Sequence, residues 1–115
     1  MRATKHTEII DGLIAATRKR KLDWRPLDPS APEWDCYLTT LPGGQTFKLE
    51  KLPNGTWEVE VRDGVDRVVD VFYARPFEGE TDIDLGVERL LAEVAEAATL
   101  PLQDTLTALT KLVRG

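Results

Sequence analysis

The spacing of apolar residues switches from a helical period to a two-residue alternation and back again along this chain. Over residues 7–21, Ile9, Ile10, Leu13, Ile14 and Thr17 fall on one stripe at the spacing of an amphipathic helix. Thr4 or Thr7 can cap its start, and Glu8 and Asp11 suit the positive end of the helix dipole. Arg18-Lys19-Arg20-Lys21 then meets the negative end, which is reason enough for a basic run there. Residues 22–35 carry prolines at 26, 29 and 32. Each removes a backbone donor and restricts its predecessor, so the segment reads as an extended connector bearing Trp24 and Trp34.

Four strands follow, over 36–41, 45–52, 56–62 and 68–74. The third alternates cleanly, with Trp57, Val59 and Val61 on one face and Thr56, Glu58, Glu60 and Arg62 on the other. One wet face and one apolar face describe an antiparallel meander covered on a single side. Facing also sets the register. A three-residue loop at Pro53-Asn54-Gly55 puts Leu49 opposite Val59 and Phe47 opposite Val61, and it pairs Lys48 with Glu60 on the wet face. A two-residue turn at Asp63-Gly64 sets aspartates against core residues, so a longer loop over 63–67 is expected, with Val69, Val71 and Tyr73 inward. A two-residue turn at Gly43-Gly44 would turn Cys36 and Leu38 inward.

Helical spacing returns over 84–98, with Leu85, Val87, Leu90, Leu91, Val94 and Ala98 on one side and Glu88, Glu93 and Glu96 outside. Thr81 with Asp84, or Asp82, supplies the start signal. Pro101 suits the first position of a new helix, so a second one is expected over 101–113, presenting Leu102, Leu106, Leu109, Leu112 and Val113. So short a joint predicts that the two fold back or cross. The expected fold is thus one two-layer α+β domain over 1–115. In it a four-stranded antiparallel meander is covered on one face by an N-terminal helix and two C-terminal helices.

Length and composition agree with that reading. The chain has 115 residues, 42% hydrophobic and 30% charged, which is ordinary for a single globular domain. No apolar run approaches the ~20 residues of a membrane span, and the first residues lack a signal peptide's apolar stretch. The expected compartment is the cytoplasm. The net charge of −5 is uneven, being +4 over residues 1–26 and −9 over the rest. Such asymmetry can steer a charged partner or a second copy of the chain.

Candidate chemistry is sparse. With Cys36 as the single cysteine, neither an internal disulfide nor a cysteine-based zinc site can form. His6, the single histidine, is expected to be exposed near a frayed end. The carboxylates of Glu78, Glu80, Asp82 and Asp84 alternate as in an oxygen-rich calcium loop. The glycine and glutamate of an EF-hand are out of register, however, and acid ahead of a helix start explains them as well. No nucleophile has a base in view and no glycine-rich phosphate loop is present. The reading is therefore non-catalytic, with no cofactor and no metal.

Two surfaces remain as partner candidates. Arg18, Arg20 and Arg25 with Trp24 and Trp34 could meet a partner protein, or phosphates in a rival reading as a nucleic-acid-associated regulator. The overall acidity and a final helix with almost no basic groups, only Lys111 and Arg114 at its far end, weigh against nucleic acid. The carboxylates of Glu58, Glu60, Glu78, Glu80, Asp82 and Asp84 could instead form an acidic patch for a basic protein.

A leading helix, the basic segment Lys19-Arg20-Lys21-Leu22-Asp23-Trp24, a hairpin meander, and Arg89-Leu90-Leu91 through Leu106 and Leu109 together resemble small bacterial proteins of unknown function. The resemblance spans most of the chain and implies no activity. Acidic secretion chaperones and small phage-encoded inhibitors are similar in size and charge. The expected function is a protein-interaction or regulatory module, with homodimerisation one form it could take.

Overall fold

The computed structural model describes residues 5–26 and 36–115, with residues 98–101 described in backbone alone. Helix α1 spans Lys5–Arg18 and buries Ile10, Leu13, Ile14 and Thr17, as the stripe predicts. It closes at Arg20, whose φ of 57° lets the Lys21 amide reach back to the Ala16 carbonyl at 2.9 Å. The chain then turns onto the sheet edge, burying Leu22 and Trp24.

The sheet has five strands in sequential antiparallel order: β1 (Arg25–Pro26), β2 (Cys36–Thr40), β3 (Thr46–Lys51), β4 (Trp57–Arg62) and β5 (Val68–Ala74). The extra strand comes from the connector, where Arg25 and Pro26 pair with Leu38 and Tyr37. Proline is tolerated there because an edge strand can leave one side of its backbone unpaired.

The β2–β3, β3–β4 and β4–β5 hairpins close through three-residue loops. Leu41, Leu52 and Asp63 donate their amides to the carbonyls of Gln45, Thr56 and Arg67. The third loop residue is left-handed each time: Gly44 at φ 88°, Gly55 at 85° and Asp66 at 65°. This is the type I turn with a glycine-type bulge, a geometry that matches the twist of the flanking strands. The loop at 53–55 gives the expected register, with Leu49 opposite Val59, Phe47 opposite Val61 and Lys48 opposite Glu60.

The facing of the other two hairpins differs from expectation. Because the loop at 42–44 has three residues, Tyr37 stands opposite Leu49 and Thr39 opposite Phe47. Tyr37 and Thr39 are buried, while Cys36 and Leu38 lie half-buried on the open face. Strand β5 begins at Val68, as a loop over 63–67 requires, but its inward residues are Phe72 and Ala74. Val69, Val71 and Tyr73 point away from the helices and are exposed. A bulge in β5, facing Val61 and Arg62, shifts the register and sets Asp70 opposite Val61.

Asp70 can occupy that position because His6, from the first turn of α1, meets its carboxylate at 2.8 Å. The His6 ring also stacks on Phe72, with centroids 4.1 Å apart and planes at 11°. His6 is therefore half-buried and engaged, not a frayed terminal residue.

Helix α2 spans Asp82–Arg114 as one 33-residue element. Thr81 caps it in a reciprocal box: its hydroxyl accepts from the Asp84 amide and its own amide donates to the Asp84 carboxylate. The stretches 84–98 and 101–113 are both helical, as predicted, and so is the joint between them. Instead of folding back, the second continues the first.

The core lies between the sheet and the layer formed by α1 with the first half of α2. Val87, Leu90, Leu91 and Val94 join Ile10, Leu49, Val59 and Phe72 there, whereas Leu85, expected on the core stripe, is exposed. Gly86 lets the helices approach, since a β-carbon on it would come within 2.9 Å of Ile10 Cγ2. Every side chain from residue 102 onward is exposed. The projecting segment raises the radius of gyration to 15.8 Å, against about 13 Å for a compact domain of this length.

Candidate partner-binding surface

A groove of 570 Å³ runs between α2 and the sheet, lined by Tyr37, Trp57, Phe77, Glu88, Arg89, Leu91, Ala92 and Ala95. Its floor is built by alternation: Tyr37 on β2 and Trp57 at the start of β4 both face the helices, their rings 6.3 Å apart and 17° from parallel. Its outer lip is Phe77, in the turn after β5. There the Glu78 and Gly79 amides both return to the Arg75 carbonyl. Phe77 has a φ of 72° and is 74% exposed. A bulky residue held in the left-handed region costs on the order of 1–3 kcal/mol, and an apolar ring gains nothing from water.

Helix α2 carries the apolar surface onward. Positions 88, 92, 95, 99, 102, 106, 109 and 113 repeat at alternating steps of four and three, the spacing of a coiled-coil seam. Within the groove the seam holds Ala92 and Ala95; beyond Pro101 it holds Leu102, Leu106, Leu109 and Val113. All six are exposed. Leu112, beside the seam, is 78% exposed. Asp104 and Lys111 sit on the opposite side of the helix by the same spacing.

The basic residues singled out in the sequence are dispersed and partly paired. Arg18 Nε donates to Glu93 Oε1 at 2.7 Å, joining α1 to α2. Arg25 bonds Asp23 at 2.8 Å. Arg20, exposed, lines a small cavity of 140 Å³ with Thr17, Arg18 and the acidic Glu93 and Glu96. Trp24 is 4% exposed and its Nε1 donates to Thr17 Oγ1 at 2.9 Å, so it closes the core and is no anchor for a partner. Trp34 lies outside the described residues.

Of the six candidate acidic residues, Glu60, Glu78 and Asp84 have side-chain or backbone partners. On the open sheet face Glu60 is buried between Arg62 at 2.6 Å and Lys48 at 3.5 Å. The Arg62 hydrogen bond, helped by Lys48, holds its carboxyl below the usual carboxylate range. Glu58 lies beside it on the same face, half-buried. Glu78 pairs with Arg75 at 3.0 Å, while Glu80 is exposed. Asp82 and Asp84 serve the first turn of α2. Donation from the Arg75 amide at 2.7 Å, with Thr81, holds the Asp84 carboxyl low. Among the described residues no group of three or more His, Cys, Asp or Glu is placed to hold a metal ion.

Cys36 is half-buried beside Glu50, and burial followed by that carboxylate pushes its thiol up. Among the described residues no helix is long and apolar enough to cross a membrane.

Sequence reasoning missed Phe77, Tyr37, Ala92 and Ala95 as the lining of a groove, and it took the leucines after Pro101 for core. One signal was available. The four-three spacing keeps its phase through Pro101, which two helices broken by a turn have no reason to do. Compared with family models, curated proteins and solved structures, the chain matches none.

Proposed function

We propose that this protein is a non-catalytic association module that binds another protein chain through the α2 seam and the groove beside it. The carrying observation is the apolar line on α2, with Ala92, Ala95, Leu102, Leu106, Leu109 and Val113 all exposed. Apolar surface of that extent, rimmed by the polar Glu88 and Arg89, is typical of a protein contact and a liability otherwise. The strained, exposed Phe77 at the groove lip supports the same use.

The residues best suited to chemistry are otherwise engaged. His6 is pressed on Phe72 with Asp70, and the raised Cys36 thiol is a poor nucleophile at neutral pH. The basic segment lends less support to phosphate binding, because Arg18 and Arg25 already have carboxylate partners and Trp24 has no free face for a base.

The test compares tagged wild-type protein with Leu106→Glu/Leu109→Glu and with Arg18→Glu as bait, scoring both self-association and recovered partners. The expected result is association by wild type and Arg18→Glu that is lost in the seam variant. Equal behaviour of all three refutes the reading.

A further inference from the structure

We infer that the groove is filled by the projecting α2 segment of a second copy of this chain, two α2 helices pairing antiparallel about a two-fold axis between residues 100 and 101. The inference rests on the association reading above and names its partner.

The sizes of the seam residues carry it. In an antiparallel helix pair the two kinds of seam position face each other across the interface. With the axis at 100–101, Ala92 faces the second copy's Leu109 and Ala95 its Leu106. Each of these alanines of one copy therefore receives a leucine of the other, so the helices can lie close and leave no void. The flanks agree. On one side Leu91, a groove wall, comes beside Leu112, which otherwise has no reason to be apolar at 78% exposure. On the other side Arg89, Glu96, Gln103 and Thr110 form a polar margin. Asp104 and Lys111 face away from the contact, and Glu88, opposite Val113 at the outer end of the seam, is its one charged position.

Helix stability and area point the same way. An isolated helix of ~12–15 residues is marginal in water, and the projecting segment includes Thr105, Thr107 and Thr110, which are weak helix formers. Its helical state needs a covering surface. The five exposed apolar side chains from Leu102 to Val113 offer roughly 500 Å², and the groove about a quarter as much again. Burying both on both copies removes on the order of 1,200 Å², the lower end of the range for a stable interface. A chain's own segment cannot reach its own groove while α2 is continuous through Pro101. The same contacts made within one chain would require a break there, so the dimer is the exchanged form of a closed hairpin.

Cross-linking separates these arrangements. With Cys36 replaced by serine in every case, Ala95→Cys and Leu106→Cys proteins are mixed, oxidised and run on a non-reducing gel, alongside the double variant in one chain and a Leu106→Cys/Leu109→Cys pair. The expected result is a disulfide-linked dimer from the 95/106 mixture and from the double variant. Light scattering should give twice 12.9 kDa for wild type and a single chain's mass for Leu106→Glu. A bond formed inside a monomeric double variant overturns the inference in favour of the hairpin. Cross-linking at 106/109 alone overturns this register. A single-chain mass for wild type at every concentration overturns the dimer. If wild type still recovers another protein in a seam-dependent way, the association reading stands without the dimer.

Discussion

Replacing Phe72 by alanine should cost far more stability than replacing its neighbour Tyr73, although the sequence places Tyr73 in the core. Phe72 is 5% exposed, lies beside Val59 and is stacked by His6 at 4.1 Å. Truncating a buried phenyl ring costs about 3–5 kcal/mol, from lost transfer energy and the cavity left behind. Tyr73 is 56% exposed on the open face, and its truncation should stay within about 1 kcal/mol. For a chain of this length each kcal/mol moves Tm by about 4 °C, so the expected shifts are about 12–20 °C and less than about 4 °C. Thermal and urea unfolding followed by circular dichroism, at one fixed protein concentration, reads both. The β5 facing is refuted if Tyr73→Ala costs as much as Phe72→Ala, or if Val71→Lys, on the same open face, unfolds the protein.

Further outcomes follow from the same packing. Thr17→Val should destabilise by about 1–3 kcal/mol in urea unfolding, because it leaves the buried Trp24 Nε1 without its acceptor. Gly86→Ala brings two effects into competition. Helix propensity favours it by about 1 kcal/mol, but the new methyl meets Ile10 Cγ2 and overpacking costs about 1–3 kcal/mol. A lowered Tm is expected. Asp84→Ala removes the capping box and should cost about 0.5–2 kcal/mol at neutral pH. Its carboxyl is held low by the Arg75 amide in the folded state. The wild-type advantage should therefore be complete above the ordinary carboxylate range and shrink as pH falls through the depressed value. A pH series of urea midpoints for both proteins checks this, and a gap that widens in acid contradicts it.

Where one face of an element was clearly apolar, the sequence was a sound guide. The α1 stripe, the Trp57, Val59, Val61 face of β4, the loop at 53–55 and the Thr81 cap all stand as read. Where both faces are apolar, alternation carries no information. Val68, Val69, Val71, Phe72 and Tyr73 can face either way. The choice is made by the bulge and by His6, 64 residues away in sequence, which shelters Asp70. The first hairpin failed for a smaller reason. Its Pro-Gly-Gly loop has the same length as Pro-Asn-Gly, and counting one residue fewer reversed Tyr37 and Cys36.

The candidate surface was the least legible part, because a leucine stripe made for another chain has the same pattern as one made for its own core. Only geometry separates them. Helix α2 carries its stripe beyond the sheet and leaves it uncovered, while Pro101, which usually begins or ends a helix, lies inside one. Trp24, Arg18 and Arg25, which drew attention in the sequence, have ordinary structural partners in Thr17, Glu93 and Asp23.

Amide hydrogen exchange across residues 102–114, measured along a dilution series of the wild-type chain, bears on all of this at once. If the projecting helix is held by a second copy, these amides are protected at high concentration and exchange quickly once the protein is dilute, while those of β3 and β4 stay protected throughout. Fast exchange at every concentration, or protection that dilution does not touch, would mean that the seam of α2 does not bring two copies together.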